Sequence, residues 1–312
     1  MHVLVLAGGL SPERDVSIRS GRRVAEAVRS ARSEFTVEES DVDVNLLSRI
    51  SGDRPDCVVL ELHGAAGEDG SIRDVLAALE IPFVGSSAEA SRIAFDKPAA
   101  ATLLNRAGIH TPKSMALPHA TFRELGAAGV MDAIVARLGL PLVVKPAKGG
   151  SALGASVVRA ASELPAAMVG AFAYGEVAYV EQFIDGTEVA ISVLDVGEPR
   201  ALPVVEIVPD GGFYDYQARY TAGSTEFFVP ARLPQSHLDS AAATAVQAHE
   251  VLGLRDWSRT DAIIDAEGVV WVLEVNVAPG MTETSLFPQS LAAAGLEVGD
   301  ITAALIQRAV TR

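Results

Sequence analysis

The chain has 312 residues, 40 acidic against 25 basic side chains, a formal charge of −15 and a hydrophobic fraction of 49%. That length exceeds one ordinary core, so two or three domains are expected, and the acidity argues against nucleic acid, whose phosphates need basic stripes. The lone Cys57, inside the apolar run 57–60, excludes a disulfide scaffold or Cys-rich zinc site and points to a reducing compartment.

Met1 to Gly9 carries no basic leader, and its apolar run is too short for a signal-peptide core or a membrane span. Val3 to Leu6 reads as a buried strand running into the turn Gly8-Gly9. No later apolar stretch reaches about 18 residues without a charge, so a cytoplasmic chain with no membrane partner is expected. Ser17 to Ser30 has helical spacing, with Ile18, Val24 and Val28 on one side. A second buried strand, Cys57 to Leu62, ends at His63-Gly64. After Gly67-Glu68-Asp69-Gly70 comes a helix carrying Ile72, Val75, Leu76 and Leu79, and Ile81 to Ser87 gives a third strand and turn. Strands alternating with helices imply an open parallel sheet with ligands at the carboxyl ends of its strands, where Gly8-Gly9 and His63-Gly64 fall.

From Leu140 onward the chain supplies mostly strands and tight turns. Leu142 to Lys145 and Ala155 to Val158 flank a glycine-rich loop as a hairpin, Val177 to Phe183 and Glu188 to Leu194 read as a strand pair broken at Asp185-Gly186, and Asp261 to Asp265 and Val269 to Val275 form a last pair. Three domains are expected: an α/β unit over 1–96, a small α+β lobe over 97–184 and a larger α+β lobe over 185–312.

If Glu267-Gly268 is a two-residue turn, Asp261 lies directly opposite Glu274, and Asn276 points the same way. Two carboxylates and an amide oxygen converging among apolar neighbours suit a hard cation such as Mg²⁺. Two solvated carboxylates on an outer face are the alternative, and a bulge would change the register. Gly149 to Gly154 matches neither the P-loop nor the dinucleotide fingerprint, yet it can turn backbone N–H groups onto phosphate oxygens. Three of the chain's four lysines, Lys97, Lys145 and Lys148, flank it, and lysine is a point-charge phosphate ligand. Glu181 and Glu188 bracket a short apolar segment and could serve an adenine amino group and a ribose hydroxyl, or be ordinary strand-end carboxylates.

These pieces fall into a series: Gly8-Gly9-x-Ser11-x-Glu13-Arg14-x-Val16-Ser17, His63-Gly64-x-x-Gly67-Glu68-Asp69-Gly70, Asp96-Lys97, and Lys145-Pro146-x-x-x-Gly150-Ser151-x-x-Gly154. It continues through Phe213-Tyr214-Asp215-Tyr216-x-x-Arg219-Tyr220, Arg259-x-Asp261 and Glu274-Val275-Asn276-x-x-Pro279-Gly280-Met281-Thr282-x-x-Ser285. In order and spacing the series resembles the D-alanine–D-alanine ligase family of the ATP-grasp superfamily, from about residue 3 to about residue 306.

The resemblance implies an N-terminal open parallel-sheet α/β domain followed by a two-lobed ATP-grasp fold that holds its nucleotide between antiparallel sheets. It implies ATP-dependent joining of two D-alanines through a D-alanyl phosphate, for peptidoglycan precursor synthesis, with two Mg²⁺ or Mn²⁺ ions and a homodimer. Lys97, Lys145 and Arg219 would meet ATP phosphates, Glu181 the adenine and Glu188 the ribose, with the 182–184 backbone, including Phe183 and Ile184, lining the base pocket. Asp261, Glu274 and Asn276 look like the metal ligands. Glu13 resembles the anchor of the first D-alanine ammonium, and His63 the imidazole near its carboxylate. Arg259 and the Gly280 N–H resemble an oxyanion hole, Ser285 and Leu286 the second D-alanine pocket, and Ser151 and Tyr220 a hydrogen-bonded network with Glu13. Tyrosine at 220 accompanies dipeptide rather than depsipeptide formation in the family.

Two departures stand out: Arg219 replaces the usual lysine, and Ala147-Lys148-Gly149 differs from the usual run. The segment Tyr216 to Phe228 is expected to be a lid loop over the acyl phosphate. A paralogous ligase for another D-amino or D-hydroxy acid would vary at Glu13, His63, Tyr220 and Ser285, and an inactive nucleotide-binding regulator would lose Arg259, Asp261 or Glu274. Here all of them match the common pattern.

Overall fold

In a computed structural model of the protein, residues 1–221 and 223–312 are described, and the Tyr220 side chain lies outside that description. The chain opens with β1 (His2–Ala7), α1 (Arg14–Ala31), β2 (Thr36–Asp41), α2 (Leu46–Gly52), β3 (Cys57–Leu60), α3 (Ala65–Glu68), α4 (Ser71–Ala78) and β4 (Phe83–Val84). Among the described residues the four strands form one parallel sheet in the order β2-β1-β3-β4. The expected strands and helices are present; β2 and α2 were not anticipated. β2 carries Glu38, Glu39 and Asp41 and lies at the sheet edge with only Val37 buried, so it shows no apolar run. Ser17 closes the ligand end: its hydroxyl takes the Gly8 N–H at 2.7 Å and donates to the Glu61 carbonyl at 2.6 Å.

Two short helices, α5 (Ala88–Phe95) and α6 (Lys97–Arg106), follow. Asp96 caps α6 by accepting the Ala99 N–H at 3.1 Å, which sets Lys97 on the first turn. A cation there opposes the helix dipole, a placement that favours a ligand over helix stability.

A second sheet is built from β5 (Ser114–Pro118), β6 (Leu142–Pro146), β7 (Ser156–Val158) and β8 (Val177–Gln182), with α7 (His119–Leu125), α8 (Ala127–Leu138) and α9 (Leu164–Phe172) between them. Its order is β5-β8-β6-β7, all antiparallel, and Ile134, Leu138, Leu164 and Met168 pack on Leu142, Val144 and Val180. The third sheet holds β9 (Thr187–Asp195), β10 (Pro199–Ala201), β11 (Val205–Pro209), β12 (Thr225–Phe228), β13 (Trp257–Ile264) and β14 (Val270–Asn276). Its order is β12-β11-β9-β13-β14, with β10 on β9. The remaining helices are α10 (Tyr216–Tyr220), α11 (Gln235–Val251), α12 (Leu286–Ala293) and α13 (Val298–Val310).

Three local expectations are corrected. The strands on either side of Asp185-Gly186 do not pair: β8 belongs to the second sheet and β9 to the third. The chain crosses between sheets at Phe183–Gly186, and a Cβ at Gly186 would strike the carbonyl oxygen of Ile264. The expected lid loop 216–228 contains a helix, capped by Asp215 at the Ala218 N–H, and strand β12 paired to β11. The last hairpin has a three-residue loop, Ala266-Glu267-Gly268, because Asp265 and Val269 pair. A bulge at Leu273 then shifts the ladder by one, so Asp261 still faces Glu274.

The C-terminal helix returns to the first sheet. Ala303, Leu305 and Ile306 of α13 share a core with Val3, Val5, Val24 and Val28, joined by Trp257, Met281 and Phe287 from the third-sheet region.

Between α11 and β13, His249 is 1% exposed, with Ser258 Oγ 2.8 Å from Nδ1 and no partner for Nε2 among the described residues. Burial lowers its pKa from 6.5 to about 4. Between those values falling pH protonates the unfolded imidazole before the folded one, so stability declines. The thermal midpoint should therefore fall more steeply from pH 6.5 to 4 in the native protein than in His249→Leu; parallel curves would contradict this.

Candidate active site

Two cavities meet where the three sheets converge. The first is lined by Glu13, His63, Glu68, Arg259, Gly280 and Ser285, and the second by Lys145, Glu181, Phe183, Ile184, Glu188 and Asp261. Lys97, Gly149, Gly150, Tyr214, Arg219 and Glu274 line both, so the cavities adjoin there.

The first cavity begins at the carboxyl ends of β1 and β3. Glu13 stands at the N-cap of α1, but its carboxylate caps nothing and instead accepts the Ser151 hydroxyl from the glycine-rich loop. Burial raises its pKa above the ordinary value. Glu68, one turn past Gly64, accepts the Gly64 N–H at 2.9 Å. Burial, with the Glu13 charge adding, pushes it up to about 8. Gly64 has φ +68, and a Cβ there would run into the Glu13 carboxylate.

His63 is oriented by a relay. The Met281 N–H donates to Ser20 Oγ at 3.1 Å, which leaves the Ser20 hydroxyl to donate to Nε2 at 3.2 Å and Nδ1–H to donate to the Ala278 carbonyl at 3.1 Å. Burial lowers its pKa to about 4, so the ring is neutral at pH 7.

In the second cavity Lys145 Nζ lies 2.6 Å from Oε1 of the buried Glu181, the lysine side chain being 12% exposed. Burial works against the lysine's charge, but Glu181 and Glu274 outweigh it and hold its pKa above the ordinary value. Lys97 Nζ donates to the Gly149 carbonyl at 2.7 Å and sits 3.2 Å from Glu274. The loop between β6 and β7 turns through Ser151 and Ala152, both left-handed at φ +52 and +54. Glu188 is pushed up to about 7 by burial. Lys148 is a correction: it reaches away to Asp96 at 3.2 Å and lines neither cavity.

On the hairpin floor Arg259 grips Asp261 in a fork, Nε–Oδ1 at 2.6 Å and Nη2–Oδ2 at 2.8 Å. Burial opposes the charge of Glu274, but Lys97, Lys145, Arg219 and Arg259 hold its pKa down at about 2. Asn276 Oδ1 accepts the Ala278 N–H at 2.7 Å, which orients the amide. These all-oxygen donors, two of them acidic, suit Mg²⁺ or Mn²⁺.

Arg219 lies over the Tyr214 ring, 4.2 Å from its centre, with Nε donating to the Tyr214 carbonyl at 3.3 Å. Ser285 Oγ accepts the Thr282 N–H at 3.0 Å, beside Gly280 and the buried Leu286. The expectation for Tyr220 falls outside the described residues. Glu68, Tyr214, Thr282, Thr284 and Arg19 line the site without having been assigned a role from sequence. For Glu68 the signal was present, in Gly67-Glu68-Asp69-Gly70.

A parallel sheet followed by two antiparallel sheets, with cations and opposed carboxylates at their seam, defines the ATP-grasp class. The D-ala D-ala ligase C-terminus family matches residues 103–307. The chain is 39% identical over 310 residues to the D-alanine–D-alanine ligase of Pelotomaculum thermopropionicum, covering 99% of this chain and 97% of the relative. It is 38% identical to that of Moorella thermoacetica, covering 99% of each. Similar solved structures include the D-alanine–D-alanine ligase of Bacillus anthracis, at TM-score 0.84 and 29% identity over 100% of this chain and 98% of that one. Another is the VanG D-Ala:D-Ser ligase of Enterococcus faecalis, at TM-score 0.85 and 28% identity over 99% of each. The chain belongs to the D-alanine–D-alanine ligase family.

Breaking the buried Arg259–Asp261 fork from one side strands a charge, at a cost of about 3–5 kcal/mol. Arg259→Met should lower the urea midpoint more than the double change Arg259→Met with Asp261→Leu. A double variant no more stable than the single one would contradict the pairing.

Proposed function

We infer that the chain uses ATP to join two D-alanines into D-alanyl-D-alanine, releasing ADP and phosphate and supplying a peptidoglycan precursor. The observation that carries this reading is that the two cavities adjoin at Lys97, Arg219 and Glu274, which line both. A carboxylate held in one can reach a phosphate held in the other.

In the first cavity Glu13 would hold the ammonium of the first D-alanine and His63 would stand near its carboxylate. In the second, Lys97, Lys145 and Arg219 would neutralise phosphate oxygens, while Glu181 and Glu188 meet adenine and ribose beside Phe183 and Ile184. A carboxylate oxygen of the first D-alanine attacks the γ-phosphorus, the bond to the β-phosphate bridge breaks, and ADP leaves. The amine of the second D-alanine, placed by Ser285 and Leu286, then attacks the acyl carbon. Arg259 and the Gly280 N–H would hold the oxygen charge that develops, and phosphate leaves as the peptide forms. Ser151 would keep the glycine-rich loop closed over Glu13.

Mg²⁺ or Mn²⁺ ions held by Asp261, Glu274 and Asn276 would supply charge neutralisation for the phosphates. The same reading takes 1–96, 97–184 and 185–312 as working units of a cytoplasmic homodimer, supported by the family resemblance.

With ATP, Mg²⁺ and a panel of D-alanine, D-serine and D-lactate, D-alanine should stimulate phosphate release most, and near neutral pH the mixture should yield mainly dipeptide. Glu274→Gln should lower kcat by about 100-fold or more. No D-alanine stimulation above background would overturn the reading, and a dominant depsipeptide would overturn the choice of second substrate.

A further inference from the structure

One face of α1 is fastened to the segment that leads into α12. Val16, Arg19, Ser20 and Arg23 are spaced to lie along one helical stripe. Ser20 Oγ accepts the Met281 N–H at 3.1 Å, and Arg23 Nη1 donates to the carbonyls of Met281 at 3.0 Å and Thr282 at 2.6 Å. These bonds fix the rotation of α1 about its axis. Arg19, one turn nearer the helix start, is thereby brought to the wall of the first cavity, with Thr282, Thr284 and Ser285.

The buried cations of that cavity are already engaged. Lys97 and Arg259, each 8% exposed, are closed on Glu274 and Asp261, and Arg219 lies over the Tyr214 ring, whereas Arg19 is exposed. Elsewhere in this region Arg14, Arg29 and Arg49 are spent on Asp41, Glu39 and Asp43, but among the described residues no ion pair holds Arg19. An amino acid arriving here meets Glu13, which no ion pair holds among the described residues, inside, and an unpaired guanidinium at the exposed wall. Its ammonium or amine end is drawn in, and its carboxylate is held back.

We propose that Arg19 is a specificity-determining residue that holds the carboxylate of the second D-amino acid beside Ser285, so that this substrate arrives amine first. This rests on the ligase reading above and deepens it. A guanidinium fork matches a carboxylate in two parallel hydrogen bonds, which a lysine ammonium cannot reproduce. Arg19 therefore selects for a free α-carboxylate on the nucleophile and leaves the phosphate chemistry untouched.

The test is steady-state kinetics of the full chain with ATP and D-alanine, resolved into first-site and second-site KM values, for Arg19→Ala and Arg19→Lys. The second-site KM should rise about tenfold in Arg19→Ala and less in Arg19→Lys, as expected for a charge-assisted contact at a partly exposed site. First-site KM, ATP KM and kcat should stay within about twofold. An unchanged second-site KM in Arg19→Ala would overturn the proposal, and so would a parallel loss of kcat and first-site affinity, which would mean that Arg19 acts by supporting α1. A native enzyme inactive with D-alanine would instead remove the ligase reading itself.

Discussion

Charges buried at one seam must compensate each other, and the rest of the structure is arranged around that requirement. Lys97, Lys145 and Arg259 stand within reach of Glu274, Glu181 and Asp261, each pair closed at 2.6–3.2 Å. Isolated, any of these groups would be costly to bury. Glu13, Glu68 and Glu188 have no such ion pair among the described residues, and burial holds all three above their ordinary pKa. The seam's cations are largely engaged with its own carboxylates and cannot by themselves neutralise a triphosphate, which is the physical case for divalent ions among Asp261, Glu274 and Asn276.

The backbone delivers these groups from all three sheets. The first contributes Glu13, His63 and Glu68 at its carboxyl rim, where a parallel sheet presents ligands. The second contributes Lys145, Glu181 and the glycine-rich loop, and the third the hairpin floor. Lys97 crosses from one set to another: its backbone N–H reaches the Ala147 carbonyl at 3.1 Å while its ammonium reaches Glu274. The return of α13 onto β1 and α1 ties the last segment of the chain to the first, so the rim and the floor share one core.

Much of this was legible in the residues, for uneven reasons. β1 and β3 are continuous apolar runs of a sheet buried on both faces, and such runs announce themselves. β2 is an acidic edge strand held by backbone pairing, so no side-chain pattern marks it. The facing of Asp261 and Glu274 was anticipated from a two-residue turn; the actual turn is one residue longer, and the bulge at Leu273 cancels the difference. Two strands a few residues apart, as at 177–183 and 188–194, suggest a hairpin by proximity alone. Here the intervening residues cross between sheets instead, because the buried run Val189–Leu194 is sandwiched between β11 and β13. Glu68 stood in the visible run Gly67-Glu68-Asp69-Gly70, but its burial beside Glu13, which gives it weight, has no counterpart in local spacing.

In the proposed reaction a carboxylate in the first cavity attacks a phosphate in the second. Its most direct measurement follows oxygen: D-alanine labelled with ¹⁸O in its carboxylate, turned over with unlabelled ATP, and the released phosphate examined by mass spectrometry. One ¹⁸O is expected in each phosphate released with dipeptide formation, carried across through the acyl phosphate. Phosphate free of label, formed together with dipeptide, would contradict it.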